Sequence, residues 1–196
     1  MADRNVALVL LAAGDSVRFH GNKLLTDFCG KPLYRHLVDE IAELPDAFFY
    51  RKLVVSQYPE ILNQLEKEGY EAVENTESVL GISHSISLAL RQMDGREDAV
   101  CFAVCDQPYL RKQTIAELVC GWNESGKGMA CVCANGRDGN PAIFARKYEP
   151  ALMGLCGDVG GKQVMKCFPD DVFRLEIGQE LELEDIDRRE DMRRNT

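Results

Sequence analysis

The sequence predicts an α/β fold built on a mostly parallel sheet with helices on both faces. Three observations point to it. A continuous aliphatic run at residues 6–11 ends in small residues. Short apolar strand runs alternate with amphipathic helical runs along most of the chain. The stretches between strands are long enough to supply the crossover helices that parallel neighbours need.

The run Val-Ala-Leu-Val-Leu-Leu at 6–11 is aliphatic throughout, as a strand buried on both faces must be, and Ala12-Ala13-Gly14 bounds it with a small-residue turn. The chain therefore opens at the centre of its sheet. From Pro32, residues Leu33, Leu37, Val38, Ile41 and Leu44 recur at helical spacing, with proline at the first helical position and Pro45 stopping the run. Residues 53–56 read as a second strand, 59–68 as a second amphipathic helix closed by Gly69, and 70–74 as a third strand. A helix over 83–93, a strand over 99–105 and a helix over 113–125 continue the rhythm. Residues 129–134 and 142–145 read as strands around the turn-rich segment 135–141, a hairpin-like connection. A helix over 148–155, a loop over 157–161, a short helix to about residue 166 and a strand over 172–177 precede an acidic tail. Nothing reads as a linker or a repeat, so residues 1–196 are expected to form a single domain.

Composition narrows the function. Apolar residues make up 45% and charged residues 28%, and Gly 16 with Pro 7 is too little for a disordered or fibrous chain. The net charge of -9 leaves no overall field to attract a polyanion, so no nucleic-acid partner is expected, whereas a small anion held by a few local donors remains compatible. No stretch approaches the roughly 20 apolar residues that span a bilayer. Residues 1–5 lead into the apolar run without a cleavage pattern, so a soluble, cytoplasmic protein without membrane attachment is expected.

The 8 cysteines are scattered and read as reduced thiols, mostly in the core. Cys101 and Cys105 share one face of a strand, and Cys131 and Cys133 share a face of another. A four-thiolate zinc site is thus conceivable, but no Cys-x-x-Cys pair supports it and small buried side chains are the preferred reading. His20, His36 and His84 form no His-x-x-x-His pair.

In an open α/β sheet, ligands bind beyond the carboxyl ends of the strands, so chemistry is sought directly after strands. After the first strand, Ala12, Ala13 and Gly14 let a ligand approach the backbone, and the N–H groups of residues 13–16 can form an anion nest for phosphates. Arg18 and Lys23 add cationic donors that reach different phosphate oxygens; two solvated cations on a polar loop would explain the same residues. Neither the P-loop nor the dinucleotide fingerprint is present. Asp106-Gln-Pro108 puts a carboxylate at a strand's end, suited to Mg2+, or alternatively to capping the next helix. Gly81-Ile-Ser-His-Ser85 offers free helix amides and hydroxyls for a base, ribose or phosphate, while an N-cap by Ser83 or Ser85 accounts for at least one of them; His84 reads as a loop side chain. In Asp185-Ile-Asp187 both carboxylates point the same way if extended, and one could complete a magnesium site. Asp187 could also cap a last helix with Glu190 as its capping box.

These motifs together resemble the MobA-like transferases, and within them the molybdopterin cytidylyltransferase branch of the molybdenum cofactor nucleotidyltransferases. The resemblance rests on Leu11-Ala-Ala-Gly-Asp-Ser-Val-Arg-Phe19 with Lys23-Leu-Leu25, Gly81-Ile-Ser-His-Ser85, Asp106-Gln-Pro108, Gly139-Asn-Pro-Ala-Ile-Phe144, Gly157-Asp-Val-Gly-Gly161 and Asp185-Ile-Asp187 with Glu190-Asp191, and so covers nearly the whole chain. Two positions depart from the pattern: His20 stands where glycine is usual, and Asp187-Arg-Arg-Glu-Asp191 lacks the proline that usually starts the last helix.

The resemblance implies a Rossmann-like three-layer nucleotidyltransferase fold and transfer of a nucleotide to the terminal phosphate of molybdopterin, with Mg2+ as cofactor and pyrophosphate as leaving group. It implies that Leu11, Ala12, Ala13, Gly14, Asp15, Ser16 and Arg18 cradle the triphosphate and that Lys23 contacts its phosphates. Gly81 and Ser83 would lie near the nucleotide, and Asp106 and Asp187 would bind the metal. The family's loop reads Leu-Ala-Ala-Gly in cytidylyl enzymes and Leu-Ala-Gly-Gly in guanylyl enzymes, so this chain is expected to use CTP, the Ala13 methyl narrowing the space beside the base. A molybdenum hydroxylase apoenzyme would be a possible partner. Two other readings share these residues: cytidylyl or uridylyl transfer to a sugar or alcohol phosphate, and a non-catalytic module that carries a nucleotide-bearing cofactor.

Overall fold

A computed structural model describes residues 4–14, 19 and 21–191 of the chain. Strand β1, Val6–Ala12, is an interior strand of a seven-stranded sheet, next to the middle one. After it come two short paired strands, β2 (Asp27–Phe28) and β3 (Lys31–Pro32), and helix α1 (Leu33–Ala42). Strand β4 (Arg51–Ser56), helix α2 (Pro59–Lys67) and strand β5 (Glu71–Glu74) build one wing of the sheet. Helix α3 (Ile82–Leu90) then crosses back to strand β6 (Ala99–Val104) on the other side of β1. Helix α4 (Lys112–Ser125), strands β7 (Met129–Ala134) and β8 (Arg137–Ala145), helices α5 (Glu149–Met153) and α6 (Lys162–Cys167) and strand β9 (Val172–Glu176) complete the chain.

The strand order is β5-β4-β1-β6-β8-β7-β9. The first four strands run parallel, β8 is antiparallel to both β6 and β7, and β9 is parallel to β7. The expected α/β, Rossmann-like fold with a mostly parallel sheet is the fold observed.

Strand alternation sorts the core into two layers. In β1, Val6, Leu8, Leu10 and Ala12 face the layer that holds α1, α2 and α4, while Val9 faces the layer of α3, α5 and α6. Burial on both faces is why this strand reads as an uninterrupted aliphatic run. Cys101 belongs to the first layer and Cys131 to the second, so the two strand faces proposed for a zinc site look to opposite sides of the sheet. Among the described residues no three His, Cys, Asp or Glu side chains gather as metal ligands. Burial pushes the Cys101 and Cys131 thiols up to about 12, as core thiols should behave.

The connection between β7 and β8 is shorter than the sequence suggests. Asn135 and Gly136 alone make the turn, both at positive φ (49° and 74°), and β8 already begins at Arg137. An Asn-Gly pair in this conformation matches the twist of an antiparallel pair. The polar residues beyond it are strand residues: half-buried Asp138 and Asn140 alternate with buried Gly139 and Pro141. Pro141 precedes the segment where β8 pairs with β6, and it faces a register shift in β7 between Cys131 and Cys133, which accommodates a residue without an N–H. None of the helices among the described residues is long and apolar enough to cross a membrane.

Candidate active site

Beyond the carboxyl ends of β1 and β6 lies a cleft of about 550 Å³. Its floor is formed by Leu11, Ala13 and Gly14 at the end of β1 and by Val104 and Asp106 at the end of β6. Gly81, Ile82 and Ser85 at the start of α3, together with Ser78, Val79 and Asp158, form one wall, and Lys23, Leu24 and Asp187 contribute the rest of the lining. A site of this size at this edge of an open sheet is the position where α/β folds bind nucleotides.

Lys23 is carried by a turn that Asn22 organises. The Asn22 Oδ1 accepts the N–H groups of Leu24 and Leu25 at 3.1 and 3.3 Å, and the Thr26 hydroxyl donates to the Asn22 carbonyl at 2.8 Å. Leu24 is buried, so the turn is nailed to the core on one side of the lysine. Lys23 is only 8% exposed. Its Nζ donates to Asp106 Oδ2 at 2.8 Å and to Asp187 Oδ1 at 3.1 Å. Burial would lower the pKa of this lysine, but the charges of Asp106 and Asp187 and the hydrogen bonds they accept outweigh it. Lys23 is therefore held above its ordinary value and stays cationic at neutral pH.

Asp106 sits immediately past the last residues of β6, and its carboxylate is committed to the cleft. The helix-cap reading fails because the N–H groups at the start of α4 have other partners: Arg111 donates to Glu182 Oε2 at 3.2 Å and Lys112 to Glu40 Oε2 at 2.8 Å. The second oxygen, Asp106 Oδ1, is buried without a hydrogen-bond partner among the described residues.

Asp187 reaches the cleft from far along the chain by a chain of buried contacts. Ile186 is buried, and its N–H donates to the Asp106 carbonyl at 2.9 Å. Gln107 Nε2 donates to the Leu183 carbonyl at 3.3 Å and to Asp185 Oδ1 at 2.8 Å. Further back, Glu182 Oε2 accepts the Thr114 hydroxyl at 2.5 Å, tying the segment to α4. Asp185 is thus spent on Gln107 and does not join Asp187 at the cleft. Burial raises its carboxyl pKa, the charge of Asp106 adding to the effect. No helix begins at Asp187 within the described residues; its N–H and that of Arg188 donate to Asp191 Oδ2 at 3.2 and 2.8 Å, and Asp191 takes the place proposed for Glu190.

The start of α3 packs against the loop that follows α5. Gly81, at φ 87°, is the N-cap, so neither Ser83 nor Ser85 holds that place. A Cβ on Gly81 would lie 2.5 Å from the carbonyl carbon and oxygen of Gly157, so only glycine fits. Ser83 is a buried residue of the helix, and both its N–H and its hydroxyl donate to the Gly157 carbonyl, at 3.3 and 2.7 Å. Its side chain therefore braces the 157–158 loop and does not line the cleft, whereas Ser85 does. His84 lies in α3 with its Nε2 3.8 Å from Glu77 Oε2.

Of the expected binding residues, Leu11, Ala13, Gly14, Lys23, Gly81, Asp106 and Asp187 line the cleft together. The Ala12 side chain points into the core on the opposite face. Asp15, Ser16 and Arg18 lie outside the described residues, as does His20. The cleft is also lined by Ser78, Val79, Ser85 and Asp158, which are not among the expected site residues. Asp158 stands in the Gly157–Gly161 segment and Ser85 in the Gly81–Ser85 segment, both already singled out, whereas Ser78 and Val79 carry no such signal.

Comparison with known proteins places this geometry in context. Residues 8–175 match the family described as the MobA-like NTP transferase domain. Among curated proteins, the bifunctional protein GlmU of Novosphingobium aromaticivorans is 30% identical over 121 residues, covering 60% of this chain and 26% of that protein. A similar protein of the same name from Thermobifida fusca is 26% identical over 169 residues, covering 81% of this chain and 34% of that one. The chain thus spans about a quarter to a third of the length of these relatives. Among solved structures, a Mycobacterium sp. strain JC1 homologue of Mycobacterium tuberculosis Rv0371c superposes with a TM-score of 0.81 at 24% identity, over 96% of this chain and 93% of that one. The fold of molybdopterin-guanine dinucleotide biosynthesis protein A from Archaeoglobus fulgidus is also similar, with a TM-score of 0.68 at 15% identity over 96% of this chain and 95% of that one.

Proposed function

The chain belongs to the MobA-like NTP transferase domain family, and from that premise we propose that it transfers CMP from CTP to the terminal phosphate of molybdopterin, releasing pyrophosphate. The observation that carries this reading is the clasp of Lys23 by Asp106 and Asp187 inside a cleft at the carboxyl edge of the sheet. A cation between two carboxylates, beside small-residue backbone, suits a triphosphate and its counter-ion better than it suits a neutral substrate.

In this account the main chain of Leu11, Ala12, Ala13 and Gly14, with Asp15, Ser16 and Arg18, cradles the triphosphate. Gly81 lets the start of α3 approach the nucleotide, and Ser83 acts on it only through the Gly157 carbonyl that it holds. Ala13 lines the cleft, where a methyl in place of hydrogen would narrow the space beside the base, and this supports CTP over a purine nucleotide.

The residues fit a divalent cation. Asp106 Oδ1 is a buried carboxylate oxygen with no described partner, and Asp187 stands across Lys23 from it. Mg2+ commonly takes one or two carboxylates with substrate phosphates completing its shell, so two acids are enough. Bound there, the ion would neutralise charge on the triphosphate.

A phosphate oxygen of the acceptor attacks the α-phosphorus in line. A new phosphoanhydride bond forms as the bond to the β-phosphate oxygen breaks, and that electron pair leaves with pyrophosphate. The attacking group is already anionic at neutral pH, so no strong base is needed, and none lines the cleft among the described residues. Lys23 supplies a fixed positive charge for the growing negative charge of the leaving group, with Arg18 as its expected partner in that role.

Pyrophosphate release measured with each nucleoside triphosphate against molybdopterin, sugar phosphates and alcohol phosphates tests the reading. Release with CTP and molybdopterin supports it. Turnover of a sugar or alcohol phosphate without molybdopterin turnover replaces the acceptor, and cofactor binding without any release points to a carrier module.

A further inference from the structure

The β1–β4 ladder does not stop at its last backbone pair, Ala12 with Ser56. The Ser56 hydroxyl donates to the Ala12 carbonyl at 2.8 Å, Gln57 Nε2 to the Ala13 carbonyl at 2.9 Å, and the Tyr58 hydroxyl to the Gly14 carbonyl at 2.9 Å. Each spans 44 residues, the offset that the ladder keeps from Ala7 with Arg51 onward. Three successive side chains, from the last residue of β4 to the residue before α2 begins at Pro59, thus continue the ladder.

The geometry has a consequence for the main chain. In a planar trans peptide the carbonyl and the next N–H point in opposite directions. Carbonyls of Ala12 and Ala13 fixed toward β4 therefore turn the N–H groups of Ala13 and Gly14 away from it. Ala13 and Gly14 line the cleft, whereas Ser56, Gln57 and Tyr58 do not. A carbonyl swung into the cleft would set its lone pairs against a phosphate oxygen, and a chain containing Gly14 swings easily unless held.

We propose that Gln57 and Tyr58 are positioning residues of the nucleotide site: they hold the carbonyls of Ala13 and Gly14 away from the cleft, so that the amide side of this stretch meets the phosphates. Ser56 does the same for Ala12, but it is buried and also accepts the Tyr58 N–H at 3.1 Å, so its loss would disturb the fold as well. The inference rests on the nucleotide-binding reading of the cleft.

Tyr58→Phe removes only a hydroxyl, and Gln57→Met keeps length and volume without the donor. Equilibrium binding of CTP, inorganic pyrophosphate and cytidine to the full chain with Mg2+, alongside a thermal melt, tests the proposal. Each variant is expected to bind both CTP and pyrophosphate about two- to twelvefold more weakly, the scale of one neutral hydrogen bond, with cytidine binding unchanged. Because the two side chains are neighbours that hold successive carbonyls, the double variant should lose more than either single variant, but not the simple product of the two factors. Variants that bind pyrophosphate like the wild type, or that lose CTP and cytidine affinity equally, overturn the positioning role while leaving the nucleotide site standing. A wild-type chain that binds neither CTP nor pyrophosphate overturns both.

Discussion

Lys23 Nζ lies 2.8 Å from Asp106 Oδ2 although 83 residues separate the two in the chain. The pair joins the turn after β1 to the end of β6, the two central strands of the sheet, and so places one cation and one anion at the point where a ligand would span them. Removing the lysine leaves two carboxylates facing each other at the cleft and takes away the fixed positive charge. Lys23→Ala should slow single-turnover pyrophosphate release by about 100-fold or more, the scale for one preorganised donor. A change below about threefold would remove Lys23 from the mechanism.

Asp106→Asn keeps the shape of the side chain but cancels its charge. The variant should lose Mg2+-stimulated turnover and bind Mn2+, followed by its paramagnetic resonance, more weakly than the wild type in the presence of CTP. A variant with wild-type activity and wild-type metal dependence would show that the ion is held elsewhere.

Gln107 ties the 183–187 segment to the end of β6. Gln107→Met removes both donated bonds with little change in volume, costing about 1–3 kcal/mol because buried acceptors are left unpaired. Asp187 should then be less well held, so that the Mg2+ concentration giving half-maximal activity rises while the fold persists. An unchanged metal requirement together with reduced stability would confine Gln107 to a structural role.

A side chain at position 81 has nowhere to go, since both its positive φ and the backbone of Gly157 exclude it. Gly81→Ala should destabilise the chain by more than about 1 kcal/mol in urea unfolding, because backbone cannot yield as a flexible side chain would. Stability equal to the wild type would mean that the 157–158 loop moves freely, contrary to the brace formed by Ser83.

Far from the cleft, Asp171 accepts hydrogen bonds from Lys147 at 2.6 Å and the Tyr148 hydroxyl at 2.6 Å. The Lys147 bond foremost, with the Tyr148 bond, holds its carboxyl at about 2, below the ordinary 3.8. A depressed carboxyl pKa adds stability that is complete above the unfolded value and is lost as pH falls from about 4 toward 2. Asp171→Asn should therefore flatten the acid limb of the stability profile, read as the melting temperature between pH 2 and 5. A limb as steep as the wild type's would assign acid sensitivity to other carboxylates.

The sheet was legible because its central strands are buried on both faces, which writes them as unbroken apolar runs at 6–11 and 99–105. Strand β8 was legible only in its apolar half: Asp138 and Asn140 are half-buried strand residues whose polarity imitates a turn, and Pro141 lies opposite an irregularity in β7 that no local pattern announces. The strand-end acid Asp106 and Lys23 could be read as cleft residues because the rule about carboxyl edges needs only local information. Ser83 could not be separated from Ser85, since which serine faces the cleft depends on the distant Gly157 carbonyl. The same holds for Gln57 and Tyr58, whose partners are set by the 44-residue register of the sheet.

The decisive measurement is incubation of the chain with Mg2+, molybdopterin and either CTP or GTP, with the products resolved by mass. Pyrophosphate and molybdopterin heavier by one CMP unit are expected with CTP, and little or no adduct with GTP. Absence of any nucleotide adduct, or an adduct with GTP alone, would contradict the proposed transfer.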